Sequence, residues 1–398
     1  MDSEQTYLIK ARSWLELSRS ALEHNIDAIS ARIPTGVKKI AVVKANAYGH
    51  GASWLAPIAL EKGFDAFAVA TLEEAIDLRK AKIKVPILIL SPYHQDFARY
   101  LIDYDLSQTV SSSWEVVRLA DDLATLLVKF PQYKNRRVKI HVKLDTGMNR
   151  IGFSARKSDQ AKTIQRILEI SQQPAIEIRG IFSHFAVADE TDDKSDEFTR
   201  LQYQRFSEVV AGCKREGLEF PVKHCANSAA AVRFPEYCLD AVRIGISLYG
   251  CCPNLDLKQE LGLEPVMSLF TRVSSIHAAE PQSPVGYGLT YQTSPGLMTK
   301  IATVELGYAD GLDRHLSNQA GMMIQGKLVP IIGRICMDRT MLDVSAIENL
   351  KVGDPVLVFG RDEYGNYNDL DLLAAKADTI SYTILCGMSH RLKRLYLG

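Results

Sequence analysis

The stretch IAVVKANAYGHG, residues 40–51, poses a problem of physical chemistry. Ile40-Ala41-Val42-Val43 is a short continuous apolar run, as expected of a strand buried on both faces. It leads into Lys44, and Tyr48, Gly49, His50 and Gly51 crowd into the turn that follows. Burial at such a place penalises the ammonium form of a lysine, lowers its pKa and leaves a neutral amine that attacks carbonyls. Two glycines, at 49 and 51, are expected to supply the tight exit from the strand.

Similar apolar runs recur downstream: FAVA (67–70), PILIL (86–90), SQTV (107–110), VKIHVKLD (138–145), EIRGIFSH (177–184), PVKHC (221–225) and LDAVRIG (239–245). Stretches of helical period separate them. TLEEAIDLRKA (71–81) opens with Thr71 and Glu74 at capping-box spacing, and SSSWEVVRLADDLATLLVKF (111–130) and DEFTRLQYQRFSEVVAGCKREG (196–217) are amphipathic. Strands alternating with helices in this way predict an α/β fold, an N-terminal (β/α)8 barrel of the TIM type, with a doubly wound open sheet as the alternative. After about residue 255 the pattern changes. VMSLFTRVSSIHA (266–278), KIATVELGY (300–308), GMMIQGKLVPIIGRICMDRTMLDVS (321–345) and DPVLVFG (354–360) are strand-like and divided by turn residues. The expected organisation is a barrel over 12–255 and a mostly-β domain over 256–398, with residues 1–17 a candidate addition to the second. Within that addition SWLEL (13–17) reads as a strand, and a helix from Ser18 to Ile33, capped by Ser18, follows.

Lys+Arg and Asp+Glu each number 47, so the formal charge is zero, which argues against a nucleic acid or an anionic membrane held by bulk charge. Seven cysteines are scattered without metal-type spacing, which suggests a reducing compartment. The start, MDSEQTYLIKARSW, lacks the basic-then-apolar run of a signal peptide, and no apolar run has the ~18 residues of a membrane span. A cytoplasmic protein is expected, without a resident metal.

In a (β/α)8 barrel the chemistry sits at the carboxyl ends of the strands. This sequence places there Lys44 and Tyr48, then Lys143, Asp145 and Arg150, then His184, then His224, Asn227 and Ser228, and finally Arg243, Gly245, Ile246 and Tyr249. Singly, each has a plain structural reading: Lys44 could snorkel, His184 could be a satisfied core histidine, and Arg243 could pair with a carboxylate. Together on one rim they suggest a Schiff-base lysine facing an anion cup. NSAA opens a helix with a hydroxyl and free amides, and GIS lets backbone amides approach a phosphate. Pyridoxal 5′-phosphate fits both features, and so does the substrate of a phosphosugar aldolase.

Nine segments carry a more specific resemblance: AVVKANAYGHG (41–51), KLDTGMNRIGF (143–153), FSHFAVAD (182–189), HCANSAA (224–230), VRIGISLYG (242–250), VGYGLTY (285–291), ELGYADG (305–311), GRICMDRTMLDV (333–344) and ISYTIL (380–385). In that order they resemble the alanine racemase family, pyridoxal-phosphate enzymes of fold type III, from residue 7 to 398. The resemblance implies interconversion of L- and D-alanine by a two-base mechanism, supplying D-alanine for the cell wall. It implies that Lys44 holds the cofactor and serves as one base, with Tyr287 as the other. Tyr48, Ser228, Gly245, Ile246 and Tyr382 would hold the phosphate, Asn227 and His184 would also bind the cofactor, Arg243 would face the pyridine nitrogen, and Arg150 would lie near the phenolic oxygen. Lys143 matches a carbamylated lysine that orients Arg150, and His184 would pair with Tyr287. Tyr287, Tyr308, Cys336, Met337 and Asp338 would reach the site from the second subunit of a homodimer, with Arg150, Tyr308, Met337 and Asp338 near the substrate. One departure is Asn149, where many members have glycine.

The competing readings are a racemase of broader specificity, for serine or basic amino acids, and a fold-type-III decarboxylase. A non-enzymatic pyridoxal-phosphate carrier is a third. The bulk of Tyr308 and Tyr382 favours a small substrate. Against the carrier stands the second domain, which such a barrel lacks and which here bears Tyr287.

Overall fold

The computed structural model describes residues 11–134 and 136–398, so the expectations for residues 1–10 lie outside the described residues. The described chain forms two compact units. One contains Ile26–Ala47 and Gly51–Ser247; the other contains the chain up to Asn25, Tyr48–His50 and Leu248–Gly398.

The first unit is a ring of parallel strands: Lys38–Val42, Ala66–Val69, Ile87–Ile89, Ser107–Val110, Val138–Asp145, Ile176–Phe182, Lys223–His224 and Ala241–Ile244. Each pairs in parallel with the next as far as Lys223–His224, and Ala241–Ile244 pairs in parallel with Lys38–Val42. Between the last two strands the ladder gives way to single bonds, Asp240 N–H to Lys223 O at 3.1 Å and Arg243 N–H to Ala226 O at 3.0 Å. The barrel is therefore nearly closed, with helices between its strands, and the doubly wound alternative is set aside. Both faces of its strands are covered: Ala41, Phe67, Ile87, Val110, Ile140, Ile181 and Val242 are fully buried, and so are polar residues such as Thr109 and His224. The helices begin where their sequences dictate. Thr71 and Glu74 form the capping box of Leu72–Lys80, Ser112 caps Ser113–Lys129, and Asp192 caps Asp193–Arg215.

The second unit is built on a sheet ordered Lys327–Pro330, Gly321–Ile324, Pro355–Arg361, Met267–Ala279, Ser13–Ser18 and Lys393–Leu397. Ser13–Ser18 pairs antiparallel with Met267–Ala279 and in parallel with the chain's last strand. The 13-residue strand Met267–Ala279 serves two neighbourhoods. Its first half lies between Ser13–Ser18 and Pro355–Arg361, and beyond a register shift at Val273/Ser275 it pairs with Thr299–Val304. The helix after Ser13–Ser18 runs Arg19–Ser30, with the Ser18 hydroxyl accepting from Ala21 N–H at 3.1 Å. Two short helices, Leu370–Lys376 and Ser381–Gly387, interrupt the strand pattern that the sequence suggests for this unit.

Candidate active site

The first barrel strand does not stop as its sequence suggests. Lys38–Val42 ends one residue earlier than the apolar run, and Val43 N–H still donates to Ala68 O at 2.9 Å. Half-buried Lys44 then opens a left-handed turn: Ala45, Asn46, Ala47 and Tyr48 have φ of 51, 51, 55 and 50°. Gly49 and Gly51 follow at φ 82 and 103°, but four non-glycine residues carry the reversal expected of the glycines alone. Each such residue costs about 1–2 kcal/mol relative to a right-handed conformation, less for asparagine. The turn is therefore tied at many points. Ala45 N–H donates to Glu74 Oε1 at 2.6 Å, Ala47 N–H to Val43 O at 2.8 Å, and Ala52 N–H to Asn46 Oδ1 at 2.8 Å. Gly49 O accepts from Arg394 Nε at 2.9 Å. His50, without a role in the sequence reading, packs its ring against Tyr249 with centroids 4.5 Å apart, and its Nδ1 lies 3.0 Å from Tyr48 O.

Further barrel ends bring cations and imidazoles together. Arg243 is buried and has partners on several sides. Nη1 reaches His224 Nδ1 at 2.7 Å and His224 O at 3.1 Å, and Nη2 reaches Ser183 O at 2.7 Å, Cys225 O at 3.0 Å and His184 Nδ1 at 3.2 Å. Burial brings its pKa down to about 10, so it stays a cation at neutral pH. His184 and His224 are both held neutral by desolvation and by that cation. Lys143, 5% exposed, donates to Leu144 O at 2.9 Å and lies 5.2 Å over the Phe182 ring. Desolvation first and Arg243 second lower its pKa to about 7. Arg150 adds a smaller repulsion from an exposed position. Asn149 takes φ 56° and its N–H donates to Asp145 Oδ1 at 3.1 Å, so asparagine meets the backbone demand that glycine would meet.

At the last two strands the Ser228 hydroxyl accepts from Gly245 N–H at 2.9 Å, and Asn227 caps the helix Ser228–Arg233 through Ala230 N–H. Ile246, 4% exposed, follows directly. A hydroxyl and the amide of a glycine thus share one corner of the rim.

The remaining candidates belong to the other unit, in two groups. Tyr48, Tyr249 and Tyr382 form an aromatic cluster, with Tyr48 at 4.9 Å from Tyr249 and 5.8 Å from Tyr382 by ring centroids. The second group is a knot of turns. Tyr308 N–H donates to Cys336 O at 3.1 Å and Ala309 N–H to Met337 O at 3.0 Å, while Gly286 and Gly288 abut Arg334 on either side of Tyr287. A Cβ at Gly307 would come within 2.4 Å of Met337 O, so only glycine lets these turns approach. Sequence reasoning missed what fixes this knot. Asp310, fully buried, takes Arg12 through both carboxylate oxygens at 2.5 and 3.0 Å. Arg391 bridges Asp310 at 3.4 Å to Asp338 at 2.7 Å. Asp310 stands inside ELGYADG, yet nothing in that motif points to Arg12, 298 residues before it, or to Arg391 near the chain's end. The knot leaves Tyr287 70%, Met337 54% and Tyr308 43% exposed.

Among the described residues no cluster of His, Cys, Asp and Glu is arranged to hold a metal ion, and no helix is long and apolar enough to cross a membrane.

Comparison with known proteins places this geometry. Residues 17–253 match the model for the N-terminal domain of alanine racemase, and residues 266–396 that for its C-terminal domain. Alanine racemase 1 of Oceanobacillus iheyensis is 38% identical over 97% of this chain and 98% of its own length. Alanine racemase 2 of Caldanaerobacter subterraneus subsp. tengcongensis is 39% identical over 96% of this chain and 94% of its own. Among solved structures, alanine racemase from D-cycloserine-producing Streptomyces lavendulae aligns with a TM-score of 0.87 at 32% identity, covering 98% of this chain and 97% of the other. The Bacillus anthracis alanine racemase with bound L-Ala-P aligns at 0.86 and 34%, covering 97% and 95%.

Proposed function

The chain belongs to the alanine racemase family, and from that premise we propose how its own residues interconvert L- and D-alanine. The family depends on pyridoxal 5′-phosphate, and the donor set fits that group: an amine at a strand end, a buried permanent cation, and a hydroxyl joined to a glycine amide at 2.9 Å. When bound, the cofactor supplies the electron sink for the carbanion left once an amino acid loses its α-proton. Lys44 would hold it covalently, Tyr48, Ser228, Gly245, Ile246 and Tyr382 would hold its phosphate, and Asn227 would help bind it. Arg243 would face its ring nitrogen, and because a guanidinium keeps its proton, that nitrogen would gain none from the protein.

Inversion at carbon requires a proton acceptor on one face and a donor on the other. Lys44 Nζ serves one face and the Tyr287 hydroxyl of a second copy serves the other. The exposure of Tyr287, Tyr308 and Met337 supports that sharing, since an apolar and aromatic face of this kind is what a partner surface covers. Arg243 donates to His184 Nδ1, which leaves the His184 proton on Nε2, free to hydrogen-bond the tyrosine oxygen and stabilise its anion. Lys143 becomes carbamylated: its neutral amine adds to carbon dioxide, forms an N–C bond and releases one proton. The product would replace that neutral amine with an anion, attracted by Arg243 and able to orient Arg150.

Alanine is the substrate proposed over serine or basic amino acids because of the bulk of Tyr308 and Tyr382. A cytoplasmic location and a role in supplying D-alanine to the cell wall complete the reading, the location supported by seven free cysteines, five of them buried. The observation that carries the proposal is the chain-wide family match together with Lys44 on its braced turn. The pure protein loaded with pyridoxal phosphate is incubated with single enantiomers of alanine, serine and lysine, and chirality is followed. Alanine should racemise fastest, and borohydride should fix the cofactor on the peptide containing Lys44. Faster turnover of another amino acid, or label on a different lysine, overturns the assignment.

A further inference from the structure

Arg243 has an anchor beyond the residues on the rim. A guanidinium only donates, so His224 Nδ1, 2.7 Å from Arg243 Nη1, must accept. The His224 proton then sits on Nε2. That nitrogen lies 3.0 Å from His141 Nδ1, which in turn must accept and carry its own proton on Nε2. The three groups form a one-way chain, donor to acceptor, from the cation into the barrel interior. His224 is fully buried and His141 is 9% exposed.

The backbone is shaped to admit this pair. Where Val138–Asp145 meets Ile176–Phe182, the register slips: Ile140 faces Ile178, but His141 faces Gly180, so Arg179 is an extra residue in a bulge. A Cβ at position 180 would stand 2.6 Å from His141 Nδ1, in the space where the two rings meet. Phe182, beyond the bulge, closes the other side, stacked on His224 at 4.9 Å and 2° and lying 5.3 Å from the Arg243 carbon. An inward histidine, a bulge and an absent side chain coincide at one point.

We propose that His141 is a positioning residue: by accepting from His224 Nε2–H it fixes the tautomer in which His224 can anchor Arg243. Without an acceptor at 141, the buried Nε2–H is orphaned. The His224 proton then favours Nδ1, where it opposes the Nη1 donor, and the guanidinium loses an anchor. The inference about turnover rests on the proposed role of Arg243; the inference about tautomers does not.

The holoenzyme labelled with ¹⁵N-histidine gives the first test, by long-range ¹H–¹⁵N correlation. His141 and His224 should both be neutral with the proton on Nε2, and a protonated Nδ1 on either ring overturns the proposal. Two variants give the second. In His141→Gln the amide oxygen can accept in place of Nδ1; in His141→Leu nothing can. Leucine should lower kcat for alanine roughly tenfold with little change in KM, and shift His224 toward the Nδ1–H form, while glutamine restores both to within about twofold. Equal losses in the two variants, or a leucine variant with an unchanged His224 signal, overturn it. If the wild-type tautomers are as stated but no alanine is racemised, the functional reading fails and the positioning of Arg243 stands.

Discussion

The interior of the barrel rim and the knot of turns in the strand-built unit hold their candidate side chains in opposite states. In the barrel they are enclosed and bonded to one another: Lys143, His224, Ser228 and Arg243 are all buried, and Arg243 alone makes five contacts of hydrogen-bond length. In the other unit Asp310, Arg12 and Arg391 brace the turns beneath Tyr308 and Met337, and Arg334 abuts the turn of Tyr287, yet these side chains are exposed. On the proposed reading the barrel set is completed by a ligand, and the exposed set by a second copy of the chain.

The strongest test of that contrast is subunit mixing. Lys44→Ala and Tyr287→Phe should each lower racemisation by about three orders of magnitude or more, since each removes one of two acid–base groups. In a symmetric dimer with shared sites, a mixed pair has one site lacking both groups and one site intact. Random exchange of equal amounts should therefore return about a quarter of wild-type activity. No return after proven exchange would mean that each chain completes its own site, or that Tyr287 is not the second base.

A smaller effect is expected within the barrel set. Lys143 has a folded-state pKa near 7, below the ordinary lysine value of 10.5, so the unmodified amine becomes neutral as pH rises through about 7 and is then able to add carbon dioxide. Lys143→Ala should lose roughly ten- to a hundredfold in kcat, with acetate or another small carboxylate restoring part of it. The wild-type mass should carry one carbamyl group per chain when bicarbonate is present above pH 7, and lose it on acidification. Absence of both the mass and the rescue would leave Lys143 as a neutral amine beside Arg243.

Much of this was legible in residue order, for identifiable reasons. The strands SQTV (107–110) and VKIHVKLD (138–145) coincide with the observed spans; the apolar residues of VKIHVKLD mark it as a buried strand, whereas SQTV, polar at three of four positions, is legible only from its place in the strand–helix alternation. The rim residues follow from strand ends, which is a local property. Illegible were the contacts between distant parts of the chain. Arg12 meets Asp310 across 298 residues, and Lys258 is enclosed by Asp369 and Asp371 at 2.7 and 2.6 Å. Nothing in the local pattern of either partner names the other. The bulge opposite His141 was equally hidden, since Gly180 within a strand reads only as a weak point until the register is known.

The left-handed turn after Lys44 was missed for a different reason. Alanine is the best helix former, so KANAY reads as right-handed helix or plain loop, and only outside bonds hold it in the opposite hand. That makes the turn a place where local preference and native structure disagree, and it can be probed by relieving the disagreement. Ala45 is exposed, has φ 51°, and donates its N–H to Glu74. Ala45→Gly keeps that donor and removes the Cβ that makes the conformation costly. Glycine also frees the unfolded chain, which takes back part of the gain. The net expectation is stabilisation of up to about 1 kcal/mol, read as a shift of the urea midpoint without a change in slope. The aim of Lys44 should survive, because Glu74, Asn46 and Arg394 still tie the turn, so kcat should change by less than about twofold. Destabilisation instead would show that the alanine side chain contributes more in its surroundings than its conformation costs. A large fall in kcat with unchanged stability would show that the stiffness of this turn, beyond its bonds, directs the amine.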